Sequence, residues 1–287
     1  MTAKPKTPES NLRIAELLRL MAGILEQQDA NPFRINAYRH GADTIAGLDE
    51  SVETILDHGG VDALIALPTI GKGIALAINE IVNTGRWSQL DRLRGEIEPE
   101  KLFQTIPNVG PKLAHEIHDH LHIDTLEALE SAAYEGRLET VPGVGPRKSS
   151  AIQASVASIL GRARPARLAG DGGIKPAISD LLRVDAEYRK KAAAKKLPAI
   201  SPKRFNPENR AWLPVLHTTH GDWHYTAVYS NTARAHQLQK TDDWVVIYFY
   251  DHHHQEAQCT VVTETRGSLI GRRVVRGREP ECKEYYR

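Results

Sequence analysis

From Asn11 to Gln27 the apolar positions Leu12, Leu17, Leu18, Met21, Ile24 and Leu25 recur at helical spacing, with Ser10 or Asn11 available to cap the first turn. Asn31-Pro32 interrupts the run, and Phe33 to Ala46 resumes it with Tyr38, Ala42 and Ile45 on one side. Similar short segments continue to about residue 160 without a strand-like run. This pattern predicts an all-α first half of antiparallel helices joined by short loops. The rhythm then changes. Gly161 to Gly173, rich in Gly and Arg and without periodicity, reads as a linker. After an amphipathic helix at about Lys175 to Lys195 and a basic, Pro-marked stretch to Pro207, the pattern turns to short β-type runs. These predict strands at Trp212–His217, Trp223–Ser230, Trp244–Tyr250, Ala257–Glu264 and Leu269–Val275. The chain is therefore expected to be multidomain, an all-α half followed by an α+β domain with a mainly antiparallel sheet. The expected divisions are a disordered leader at 1–9, helical domains at 10–92 and 93–162, a linker at 163–174 and the α+β domain at 175–287. Three of the four tryptophans and most tyrosines fall in the last, which predicts a core of its own.

Composition changes this picture little. The 287 residues are 41% hydrophobic and 25% charged, as in ordinary globular domains, and no apolar run approaches the roughly 20 residues of a membrane span. The polar opening MTAKPKTPES has no apolar stretch of the signal-peptide kind, so a cytoplasmic location is expected. Cys259 and Cys282 form no CxxC, which fits a reducing compartment without a disulfide framework. Charge is balanced, 37 Lys+Arg against 36 Asp+Glu, so any contact with nucleic acid has to come from local patches.

A repeat in the first half carries the candidate chemistry. Its copies are Leu67-Pro-Thr-Ile-Gly-Lys-Gly73, Ile106-Pro-Asn-Val-Gly-Pro-Lys112 and Val141-Pro-Gly-Val-Gly-Pro-Arg-Lys148, each leading into a helix. Gly71, Gly73, Gly110, Gly143 and Gly145 keep side chains away from an approaching phosphate, and Gly71, Gly110 and Gly145 are expected to take positive φ at the chain reversal. The helix start that follows offers free N–H groups and the positive end of the dipole. Lys72, Lys112, Arg147 and Lys148 add charge there, so the copies read as helix-hairpin-helix elements that bind DNA through its backbone, whatever its sequence. One such stretch is equally an ordinary helix-turn-helix; three in series favour DNA. Gly143 and Asn108 suit a left-handed turn position, whereas Thr69 does not, so the first hairpin is expected to be distorted or weaker.

Residues 11 to about 160, with Asn31-Pro-Phe-Arg-Ile-Asn-Ala-Tyr-Arg39, the three hairpins in order and Gly85, resemble the N-terminal portion of family X DNA polymerases of the bacterial type. The resemblance implies an 8-kDa-like domain at 10–92 and a fingers-like domain at 93–162 that together grip gapped, nicked or branched duplex in DNA repair. It implies a 5′-phosphate held by Arg34 and Tyr38. It also implies a monovalent cation, Na+ or K+, on the carbonyls of Leu67 and Ile70 in the first hairpin and Ile106 and Val109 in the second, with no other cofactor required. Two departures bear on activity. Ala77 stands where members with lyase activity carry the Schiff-base lysine, and Gly73 where a phosphate-binding lysine is expected. No Asp-x-Asp of a polymerase palm occurs. Polymerase and 5′-deoxyribose phosphate lyase activities are accordingly not expected.

The second half resembles no family, and its residues leave alternatives open. His217, His220, His224, His236 and the run His252-His253-His254 suggest a metal, but their spacing across a Gly-containing turn is poor for zinc and suits surface histidines equally. Asp243 or Asp251 with Glu256-x-Gln258 imitates a nuclease motif without its lysine, and the same alternation describes any half-buried strand. Arg266, Arg272, Arg273, Arg276 and Arg278 form either a phosphate-contacting ribbon or a solvated hairpin paired to Glu264, Glu279 and Glu281. The reading is a structure-specific DNA-binding protein, with a repair-protein partner on its C-terminal domain. A metal-dependent nuclease with its chemistry in that domain and a protein-interaction adaptor are the alternatives.

Overall fold

The computed structural model describes residues 7–96, 99–121, 123–160, 175–251 and 256–287. The expected linker at 163–174 and the histidine run 252–254 lie outside them. The first half is helical: α1 (Glu9–Gln27), α2 (Pro32–Ala46), α3 (Val52–Ile65), α4 (Lys72–Thr84), α5 (Ser88–Leu93), α6 (Pro99–Phe103), α7 (Pro111–Leu121), α8 (Leu126–Tyr134) and α9 (Pro146–Ile159). The second half has α10 (Ile178–Ala193), β1 (Ala199–Ile200), β2 (Leu213–His220), β3 (Trp223–Tyr229), α11 (Ala233–Gln237), β4 (Val245–Tyr250), β5 (Ala257–Thr263), β6 (Arg273–Val275) and α12 (Glu279–Tyr285). The six strands follow one another in an antiparallel sheet of order β1-β2-β3-β4-β5-β6, as the mainly antiparallel expectation required.

Several local expectations need correction. Neither Ser10 nor Asn11 caps α1, which begins at Glu9 inside the expected leader, with Pro8 at the cap position. Asn11 is instead buried and joins two helices, donating to Glu50 O at 2.8 Å and accepting from Val52 N–H at 2.9 Å. Thr7 Oγ1 donates to Ala46 O at 3.1 Å, so the leader is anchored from this residue on. Of the run Leu269–Val275 only Arg273–Val275 is strand, because residues 267–269 form a 3-10 turn. The Pro-marked stretch hides the short edge strand β1.

The second half has the core of its own that its aromatic content predicts, on one face of the sheet. The other face was not expected to be covered, and it joins the core of the first helices. Leu216, Tyr225, Ala227, Val245, Ile247 and Phe249 pack with α10 and α12. Leu213, Val215, Val228, Val246 and Tyr248 enter one cluster with Leu18, Met21 and Ile78 of the first helices. Alternation along β4 thus serves two helical layers rather than one layer and solvent. On the α10 side the Tyr188 hydroxyl accepts from Tyr229 N–H at 2.8 Å and donates to Pro214 O at 2.9 Å. Residues 102–160 gather around a cluster of their own that includes Phe103, Ile106, Ile117 and Val156.

One backbone contact locks the halves together. Gly95 has φ 72°, and a Cβ there would lie 2.5 Å from Ser201 O; Lys203 N–H also donates to Gly95 O at 2.8 Å. Gly95→Ala is expected to cost at least about 2 kcal/mol, seen as a lower urea midpoint at unchanged m-value. Because the halves share a core, fluorescence from the tryptophans of the second half and circular dichroism of the helices should report the same transition; separated transitions would contradict a shared core.

Candidate nucleic-acid interface

Each hairpin is a four-residue turn pinned by its apolar members. Ile70, Val109 and Val144 are buried, and their N–H groups donate to Leu67 O at 3.3 Å, Ile106 O at 3.1 Å and Val141 O at 3.0 Å. The third residue takes the left-handed conformation: Thr69 at φ 64°, Asn108 at φ 65° and Gly143 at φ 81°, as a type II turn with proline at its second position demands. Two expectations therefore fail. Positive φ does not sit at Gly71, Gly110 or Gly145; Gly71 and Gly145 are extended helix N-caps, at φ −77° and φ −93°. Nor is the first hairpin distorted. Thr69 adopts the same conformation as its counterparts, its hydroxyl 2.8 Å from that of Thr44 across the turn.

What the three glycines supply is access. A Cβ on Gly71, Gly110 or Gly145 would meet nothing within 4 Å, and all three face solvent. No side chain caps the N-terminal N–H groups of α4 or α9, so these donors point outward unobstructed. Lys72, Gly73, Lys112, Gly143, Arg147 and Lys148 are exposed beside them, with Lys148 Nζ reaching back to Gly143 O at 3.1 Å. The first and third hairpins are tied together by Asn79, whose side-chain amide donates to Ile159 O at 3.0 Å.

Arg34 and Tyr38 project from α2 into a cleft of about 690 Å³ between the first hairpin and the end of β4. Ala77 and Glu80 of α4 line it, together with Tyr250, Asp251 and Glu256 from the second half. The Tyr38 hydroxyl donates to Gln89 Oε1 at 3.1 Å, and Gln89 Nε2 donates to Glu256 at 2.8 Å. Glu256 also pairs with the buried Arg92, whose guanidinium lies 3.5 Å from the centre of the Tyr248 ring. Burial pushes the Glu80 carboxyl up to about 7 against the hydrogen bonds it accepts from Ser88.

Behind the cleft is a charge network that the sequence reading missed. The Tyr248 hydroxyl donates to Asp124 at 2.7 Å, and Asp124 lies 3.0 Å from His118 Nε2. The other ring nitrogen of His118 is 3.3 Å from Asp119 and 3.4 Å from Glu100. Burial alone would lower His118, but the carboxylates of Asp119, Asp124 and Glu100 outweigh it and push the imidazolium up to about 11. Burial works in the opposite sense on Glu100, which His118 and Arg204 nevertheless hold down to about 2. The helical spacing His115-x-x-x-Asp119 was the only sequence signal. With Glu100 these two form a group whose donor atoms lie within 4.8 Å of one another. Glu100 faces His115 Nδ1 at 3.6 Å and Asp119 faces Nε2 at 3.3 Å, a bridging geometry that a single ion on one ring nitrogen does not reproduce.

Of the described candidate residues of the second half, Asp251 and Glu256 meet in the lining of the cleft, while Asp243 and the histidines have separate partners. His217 sits between Gln28 and Thr226 at 2.9 and 3.1 Å, and burial and then Arg34 lower it to about 3. His220 faces Glu187, His224 faces Thr219 and His236 faces Asn231. Asp243 pairs with Arg273 while Glu256 pairs with Arg92, so of the two acids expected beside Glu256 it is Asp251, and not Asp243, that shares its cleft. Of the arginine ribbon, Arg273 is drawn inward to Asp185 at 2.6 Å, Arg276 pairs with Glu264 at 2.6 Å and Arg278 with Glu281.

Residues 9–87 match the helix-hairpin-helix domain family, and residues 100–157 match the SAM-like helix-hairpin-helix tandem family. The chain is 28% identical over 141 residues to the DNA polymerase/3'-5' exonuclease PolX of Bacillus subtilis (strain 168), a stretch covering 48% of this chain and 24% of that protein. This chain thus spans about a quarter of the relative it matches. The first half is similar to a family X polymerase, and these matches stop before the second half. No described helix is long and apolar enough to cross a membrane.

The His118 network makes stability depend on pH. A folded-state value of about 11 against 6.5 for the free group means that its contribution is complete below about pH 6.5 and is lost as pH rises toward 11. His118→Gln is expected to cost about 3 kcal/mol near neutrality and to flatten that decline, measured by urea unfolding from pH 6 to pH 10. A variant with wild-type stability at pH 7 would refute the assignment.

Proposed function

We propose that this chain binds DNA by its backbone at gaps, nicks or branches, in DNA repair, with the three hairpins gripping phosphates and Arg34 and Tyr38 seating a 5′-phosphate. The observation that carries this reading is the threefold turn, in which buried apolar residues hold an exposed helix start next to a glycine and a basic side chain, with no side-chain cap at α4 or α9. The relative's printed name supports the substrate class, DNA.

A monovalent cation, Na+ or K+, fits the turn carbonyls of Leu67 and Ile70 and of Ile106 and Val109. The fit rests on the backbone. The first helical bond of α4 runs from Ala75 N–H to Gly71 O and that of α7 from Ala114 N–H to Gly110 O, one residue beyond the carbonyls of Ile70 and Val109. A cation there would bridge the turn to a phosphate. The second half is the part of the chain proposed to meet a repair-protein partner.

Affinity for gapped duplex should fall on the order of a thousandfold between about 50 and about 200 mM salt if about six phosphates are contacted. Gly110→Val combined with Gly145→Val should weaken binding at least tenfold without loss of stability, since the added side chains meet open space. Salt-independent binding, or wild-type affinity in that double variant, would overturn the reading. Ala77 offers no amine, so borohydride should trap no adduct with a 5′-deoxyribose phosphate end; an adduct lost in Lys72→Ala would mean that Lys72 acts as the nucleophile.

A further inference from the structure

Each hairpin sets a repelling group beside an attracting one. The first helical bonds begin at Gly71 O, Gly110 O and Gly145 O, so the carbonyls of the two residues before each glycine stay outside the helix ladder, at the rim of the turn. A phosphate drawn to the positive end of the helix meets the partial negative charge of that rim as well. A cation on the rim removes the conflict, which is the part given above to Na+ or K+ on the first two hairpins.

The third hairpin carries a cation of its own. Lys148 Nζ donates to Gly143 O at 3.1 Å. This carbonyl lies one residue before Val144, the counterpart of Ile70 and Val109. Position for position, Lys148 corresponds to Ile74 in the first hairpin and to Leu113 in the second. Ile74 is buried in the first core and Leu113 packs against the second, and neither side chain has a donor. Lys148 is exposed, and Gly143, at φ 81° and without a side chain, leaves a low rim over which it reaches back. Thr69 and Asn108 carry side chains at that place. A lysine ammonium has the charge of K+ and is compact enough to stand in for it on a carbonyl. With one N–H on Gly143 O, it keeps two more to offer a phosphate.

We propose that Lys148 is the built-in cation of the third hairpin, joining its turn carbonyl to a DNA phosphate, so that this hairpin grips DNA without a metal ion while the first two need Na+ or K+. The inference rests on the reading that the hairpins bind phosphates and that a monovalent cation fits the first two, and it assigns the third a different device.

The test uses the full chain and gapped duplex, with affinity read by fluorescence anisotropy in about 50 mM KCl and in tetramethylammonium chloride at the same concentration. Screening is then equal, and only the fit of the cation to a carbonyl differs, because methyl groups keep tetramethylammonium away from it. Wild-type affinity is expected to be at least fivefold lower in tetramethylammonium. Gly71→Val combined with Gly110→Val leaves the third hairpin to bind, since the added side chains meet open space, and the remaining affinity should be equal in the two salts. Adding Lys148→Met to that background should make the remaining binding at least fivefold stronger in KCl, where K+ takes the place of the ammonium. If the glycine variants fail to fold, Lys148→Met alone decides, by widening the difference between the two salts beyond that of the wild type. Remaining affinity that falls on the exchange while Lys148 is in place overturns the inference. So does a Lys148→Met variant that weakens equally in both salts, as an ordinary phosphate contact would. The underlying readings fail differently: a wild type indifferent to the exchange removes the cation from the first two hairpins, and affinity untouched by the glycine substitutions removes the hairpins from DNA binding.

Discussion

Successive residues of β4 face different halves of the chain: Val245, Ile247 and Phe249 pack beneath α10, while Val246 and Tyr248 enter the core of the first helices. A slip of one residue would exchange these sets and place the Tyr248 hydroxyl against the wrong layer, so the register of the sheet and the seating of the helical half are a single requirement. Arg92 makes it stricter. Its guanidinium lies over the Tyr248 ring and against Glu256, both from the second half, and losing either partner would leave a buried charge poorly compensated. From Tyr248 the same connection continues through Asp124 to His118, which links the hairpin-bearing residues 99–160 to the sheet as well.

This frame gives the surface its character. Phosphate contacts through backbone N–H groups are individually modest and gain selectivity for a DNA shape only when several act at fixed distances. The bond from Asn79 to Ile159 and the Tyr248–Asp124 link hold the first hairpin in relation to the others, while the turn residues that would meet DNA remain exposed. The second half thus serves the first as a scaffold and also supplies a wall of its cleft. With a formal net charge of only +1, affinity depends on this local placement rather than on a general field.

Much of the helical half was legible because its signals are local. Apolar spacing located α1 and α2, and Asn31-Pro32 marked the break between them; that Asn31 also caps α2, its side chain accepting from Phe33 N–H at 2.9 Å, went unread. The hairpins were legible as repeats of proline, an apolar residue and glycine, although positive φ was assigned to the wrong residue. A type II turn places it two positions before the conspicuous glycine, and Thr69 accepts it because Thr44 pairs with its hydroxyl. The caps expected of Ser10 and Asn11 failed for a related reason: Asn11 met a partner 41 residues away in Val52.

The sequence by itself determined most element types, the order of helices before strands, the antiparallel sheet and the places of the three turns, since each follows from propensity and periodicity within a dozen residues. Only the tertiary structure decided what those elements enclose. The alternation of β4 is the same whether its second face meets water or helices, so the shared core had no local signature. The His118 network and the cleft between Arg34 and Tyr250 likewise join residues far apart in the chain. Their charges are held by burial and by partners that come together only once the two halves have packed.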